Sequence, residues 1–140
     1  MTRGLFAAAL LATTLARPVE ADMTPEPVAL LEGLDKITAR VSKFEAPVGA
    51  PVQFGTLAIR VRDCEKSPPE DTPESAAFLE IDETRTGDVR TRVFSGWMFA
   101  SSPALSALEH PVYDVTLLDC RAASGSARAA SGKATGKDAR

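Results

Sequence analysis

Between Lys36 and Cys120 apolar residues return at every second position in one short run after another. That period gathers them on one face of an extended strand, where a helix would need spacings of three and four. Ile37, Ala39 and Val41 make the first run, Val52 and Phe54 the second, and Leu57, Ile59 and Val61 the third, with Ala58, Arg60 and Arg62 on its opposite face. Ala77, Leu79 and Ile81 then stand opposite Phe78, Glu80 and Asp82, followed by Val89, Thr91 and Val93, by the aromatic run 94–99 with Gly96 as an expected bulge, and by a last strand over 112–118. Turn chemistry falls between the runs. Pro47, Gly49 and Pro51 separate the first two, and Thr86, Gly87 and Asp88 mark a hairpin in which Gly87 can take positive φ. Ser102 as N-cap and Pro103 at the first helical position predict one or two helical turns over 104–109, ended by His110 and Pro111. About six strands with one short helix before the last predict an all-β, mainly antiparallel fold, a small sandwich or barrel.

The 140 residues leave room for one such domain. Residues 34–120 are expected to form it. Residues 22–33, rich in Pro and Glu, read as an extended arm; Val28, Leu31 and Leu34 are spaced for a helical turn or two, which Gly33 weakens. Ahead of the arm, Arg3 precedes an almost uncharged run over residues 5–15 that Arg17 and Pro18 stop. A membrane span needs about 20 apolar residues, so this run predicts a cleaved export signal over 1–21 in preference to an anchor. Val19 and Ala21 put small residues where the peptidase requires them, and the expected cut follows Ala21.

Export decides how the two cysteines are read. In an oxidising compartment Cys64 and Cys120, each ending a β-like run in Asp-Cys, are expected to form a disulfide; two separate buried thiols are the alternative, and no Cys-x-x-Cys spacing supports a redox pair. Charge is unevenly spread. Residues 22–120 carry 17 acidic and 9 basic side chains, whereas residues 121–140 hold five basic ones against Asp138 alone. With no large apolar residue the tail cannot offset its ordering entropy, so 121–140 is expected to be a disordered, solvated tail whose contact with anionic lipid is at most weak.

No catalytic residue, metal or cofactor is expected. His110 is the one histidine, too few for a closed zinc site, and Ser101, Ser102 and Ser106 sit in a capping context instead of beside a base. The carboxylate pairs Glu80 with Asp82, and Glu70 with Glu74, fall on a polar strand face and in a Pro-rich loop, so they read as solvated charge. Phosphate-binding glycine loops and basic stripes with interleaved aromatics are absent from the sequence, which argues against nucleotide and nucleic-acid binding. The candidate interaction surface is Phe94, Trp97, Phe99, His110 and Tyr113. Core packing is expected to claim at least two of its aromatics, and exposure of Trp97 would turn the balance toward binding.

Several strings in order, FGTLAIRV from Phe54, AAFLEI from Ala76, FSGWMFASS from Phe94 and HPVYD from His110, together with Cys64, Pro68, Pro69, Glu70, Pro73, Glu74 and Leu118 to Cys120, resemble the alphaproteobacterial domain-of-unknown-function family 2155 over residues 34–120. The resemblance implies an exported, periplasmic protein with this cysteine pair and no attached enzymatic activity. It also implies a role on the periplasmic side of an inner-membrane complex such as respiratory complex I. Many members carry a second tryptophan in the last strand where this chain has Thr116, so a surface built on that position does not transfer. The expected function is therefore a non-catalytic binding module or accessory subunit docking on an envelope complex through the arm and the aromatic segment. A small-ligand or lipid carrier, which needs an internal cavity of roughly 300 Å³, and an envelope hydrolase are the alternatives in descending order.

Overall fold

A computed structural model describes residues 22–124, which form eight strands in two antiparallel sheets. The strands are β1 (Thr24–Pro25), β2 (Val28–Asp35), β3 (Arg40–Pro47), β4 (Val52–Phe54), β5 (Leu57–Lys66), β6 (Ser75–Thr84), β7 (Arg90–Phe99) and β8 (Tyr113–Arg121). One sheet runs β1-β5-β6-β7, with β4 also paired to β5; the other runs β3-β2-β8. The two sheets pack face to face as a sandwich and do not close into a barrel.

The alternation read from the sequence is what fills the space between them. Leu57, Ile59 and Val61 of β5 and Leu79 and Ile81 of β6 point inward and are fully buried, and they meet Leu31 of β2 and Leu117 of β8 at 1% exposure or less. The opposite face of β5 and β6 carries the charges. There Arg62 bonds Glu80 at 2.7 Å, and Arg92 of β7 reaches both Glu80 and Asp82. The hairpin also forms as expected, with Arg85 N–H donating to Val89 C=O at 3.2 Å and Gly87 at φ +92°.

Four local expectations change. Half of the expected arm is a central strand: β2 lies between β3 and β8, and the apolar spacing of three arose because its inward positions hold Ala29, Leu31 and Gly33, two of them small. Ile37 and Ala39 belong to a turn. The Asp35 carboxylate accepts from Ile37 N–H at 2.9 Å and Thr38 N–H at 3.1 Å, Ala39 takes φ +55°, and Ile37 and Val41 stay exposed. The helix over 104–109 is a single 3-10 turn at Pro103–Leu105, which the Ser102 side chain does not cap. Gly96 pairs regularly with Leu79, and the bulge of β7 falls at Val93, between the pairs Ile81–Phe94 and Asp82–Arg92.

The expected signal over 1–21 and the tail beyond residue 124 lie outside the described residues. The first residue of the expected tail, Arg121, ends β8, where it is ion-paired with Glu45; Ser124 Oγ bonds the same carboxylate at 2.9 Å.

Candidate functional site

Two aromatic groups occupy different sides of the sandwich, and the candidate residues are divided between them. Inside one end, a row of rings links Phe44, Phe54, Tyr113 and His110, with successive centroids 5.4, 5.5 and 5.4 Å apart. Two glycines make room for it. A Cβ on Gly33 would stand 2.5 Å from the Phe54 ring, and one on Gly55 would strike the Tyr113 hydroxyl.

His110 closes this row from the segment between β7 and β8, and its side chain is buried. Its Nδ1 accepts from Val112 N–H and Tyr113 N–H, both at 3.1 Å, so the ring proton sits on Nε2, which donates to Glu83 Oε1 at 3.0 Å. Both nitrogens are thereby used in holding the segment before β8, and Lys36 Nζ adds a bond to the His110 carbonyl at 2.8 Å. Arg85, and after it His110, hold the Glu83 carboxyl below its ordinary value. Phe94 likewise packs against the core from the inner face of β7. His110, Tyr113 and Phe94 therefore serve the interior.

Trp97 does not. Alternation along β7 turns it to the outer face of its sheet, where it pairs with Phe78 across the ladder, ring centroids 5.7 Å apart and nearly perpendicular, and remains 38% exposed. Phe99 lies two residues on and pairs with Ala76. Met23 of the N-terminal segment, Ala76, Trp97 and Phe99 line an open groove of about 490 Å³ whose polar members are Glu65 and Glu74. β1 carries Met23 there by pairing with the end of β5, Thr24 with Lys66 and Pro25 with Glu65. The contribution of Met23 and Phe78 was hidden in the sequence, because nothing local to either residue reports a partner strand.

The Cys64–Cys120 disulfide forms, with Cα atoms 5.7 Å apart, and it joins β5 of one sheet to β8 of the other. Beside it Asp119 accepts from Lys66 Nζ at 2.8 Å and from Ser75 Oγ at 3.0 Å. Burial works to raise the Asp119 carboxyl, but the Lys66 and Ser75 bonds prevail and hold it below its ordinary value.

Acid-base chemistry has little to work with in this arrangement. A general acid at neutral pH needs a raised carboxyl, whereas the Arg62 hydrogen bond holds Glu80 low. Glu74 is also held low, since hydrogen bonds from Ser101 and Ser75 outweigh the effect of burial. The Ser101 hydroxyl thus donates to a weak base, and His110 is engaged elsewhere. Among the described residues no three His, Cys, Asp or Glu side chains gather as a metal would require.

Comparison with known proteins places these features in a family context. A family model described as "Uncharacterized protein conserved in bacteria (DUF2155)" matches residues 29–120. An uncharacterized protein of Rickettsia prowazekii (strain Madrid E) is 32% identical over 87 residues, which is 62% of this chain and 56% of that protein, so the match spans little more than half of the relative's length. No solved structure matches.

Proposed function

This chain belongs to the uncharacterized bacterial family DUF2155, and from that premise we propose that it is a non-catalytic binding module that docks on a larger complex of the cell envelope through the outer face of β6 and β7. The observation that carries this reading is Trp97, a large aromatic standing exposed beside Phe78 and above an apolar groove edged by Glu65 and Glu74. An exposed aromatic with apolar neighbours and a polar rim is the composition of an interface centre. The cross-sheet disulfide supports an oxidising compartment, as does the apolar run over residues 5–15. The finer proposal is an accessory subunit on the periplasmic side of an inner-membrane complex such as respiratory complex I. A carrier for lipid or a small ligand is less well supported, since the space between the sheets is filled by Leu31, Ile59, Leu79, Ile81 and Leu117.

The test is recovery of the tagged chain from gently solubilised membranes, alongside Trp97→Ala. Docking predicts that a stable inner-membrane partner accompanies the unaltered chain and is lost from an equally well-folded Trp97→Ala variant. Recovery of the chain without any such partner counts against the reading, and so does a partner retained undiminished by the variant.

A further inference from the structure

Register across β5, β6 and β7 lines up two rows on the outer face of the larger sheet. Asp63 stands opposite Phe78, and Phe78 opposite Trp97; one repeat further on, Glu65 stands opposite Ala76, and Ala76 opposite Phe99. Directly opposed residues of antiparallel strands share a face, and Cys64, between the two carboxylates, is the one turned into the core at 0% exposure. Each row therefore runs from a carboxylate on β5 to an aromatic ring on β7, two strand spacings or about 10 Å away.

The other carboxylates of this face are matched. Glu80 has Arg62 and Arg92, Asp82 has Arg92, and Glu74 accepts N–H bonds from Ser75 at 2.9 Å and Ser101 at 3.1 Å. Asp63 and Glu65 are partly exposed, and neither has a side-chain hydrogen bond or ion pair among the described residues. Their neighbours along β5 are committed elsewhere, Arg62 to Glu80 at 2.7 Å and Lys66 to Asp119 at 2.8 Å. Water satisfies the two carboxylates while the face is open. Under a partner that covers Trp97 they lose that water, and an ionised carboxylate buried without a cation is strongly unfavourable.

We propose that the partner docked on this face is a protein segment that presents two Lys or Arg side chains to Asp63 and Glu65, beside a large apolar side chain seated between Met23, Ala76 and Phe99. The two carboxylates lie one strand repeat apart, about 7 Å, which sets the spacing of the cations, and the Trp97 ring offers its face to one of them. An anionic membrane surface meets the same two charges as repulsion. The inference rests on the docking reading and narrows it to a basic, apolar partner segment.

Trp97 is the chain's single tryptophan, so the emission of the full disulfide-bonded protein reports on this face directly. A short peptide of alternating leucine and arginine should shift that emission saturably, with a dissociation constant below about 1 mM, and its leucine and glutamate counterpart should not. Asp63→Asn together with Glu65→Gln keeps the shapes and removes both charges. It should weaken the arginine peptide at least about tenfold while circular dichroism matches the parent. No binding of the arginine peptide overturns the proposal, as does equal binding of both peptides or binding that the double variant leaves undiminished. An emission shift produced instead by phosphatidylglycerol vesicles, by raising the protein concentration, or by neutralising Arg128, Lys133, Lys137 and Arg140 gives the face to lipid, to a second copy or to the chain's own tail, and also overturns it. Docking itself fails by a different result. In recovery from membranes, a partner kept by Trp97→Ala removes docking, whereas a partner lost from Trp97→Ala but kept by the double variant leaves docking in place and removes the basic segment.

Discussion

At Gly33 the absence of a methyl group decides where Phe54 can lie. The ring occupies the space a Cβ would need, stacks on Phe44 and meets Tyr113 edge-on. Gly33→Ala should therefore destabilise the protein by about 1 to 3 kcal/mol through overpacking, read from chemical denaturation; a neutral result would mean that the ring can shift without cost. Glu83 makes a prediction about acid. Its carboxyl is held below the ordinary value of 4.5, chiefly by Arg85 and then by His110, so the unfolded chain takes up this proton before the folded one does. The resulting stabilisation is complete above about pH 4.5 and fades as the pH falls through the lower folded value. Glu80 and Asp119 add to it in the same direction. In Glu83→Gln the fall of melting temperature below pH 4.5 should be shallower than in the parent, and an unchanged slope would remove Glu83 from the account. His110 shows where reading by residue type stops. As the only histidine it was singled out with the aromatics, but its part in ordering Val112 and Tyr113 depends on Glu83, 27 positions away.

Among elements, β5 and β6 were legible because their middle stretches obey one rule: Leu57, Ile59 and Val61, and Leu79 and Ile81, recur at every second position, and the residues between are mostly polar. β2 was not legible. Small residues stand at two of its inward positions, which leaves the large ones at a spacing that mimics a helix. The neighbouring run through Ile37 misled in the opposite sense, since it has the alternation of a strand while Asp35 folds it into a turn. The two cases can be compared directly. Leu31→Ala should cost about 3 kcal/mol, whereas Ile37→Ala should change stability by less than about 0.5 kcal/mol, both measured by urea unfolding. Comparable losses from the two would show that the turn carries packing its exposure denies. The pairing of the short stretch β1 was not legible, because its partners on β5 lie some forty residues along the chain.

At the scale of the molecule, the described residues form two sheets held by a common core and by one covalent link between them. Cys64 and Cys120 are separated by 56 positions, so their bond restricts a long loop of the unfolded chain while tying β5 to β8. Replacing both with Ala should lower stability by about 2 to 4 kcal/mol, and reduction of the parent should produce a similar loss in denaturant titration. If neither changes the unfolding midpoint, the core alone sets the stability. The candidate surface divides at this scale too. Phe94, His110 and Tyr113 are drawn into the interior, and Trp97 is left outside with Phe78 and Met23, which reach it from other strands.

Amino-acid order alone was enough for the all-β class, the charged and apolar faces of the middle strands, the hairpin at Gly87 and the pairing of the cysteines. Each of these depends on near neighbours, or on there being two cysteines and no more. Tertiary structure alone decided that β2 is central, that Gly33 and Gly55 admit rings, and that Trp97 is the exposed aromatic among the described residues. Those outcomes depend on which strand lies opposite which, and such contacts join residues tens of positions apart that carry no local mark of one another.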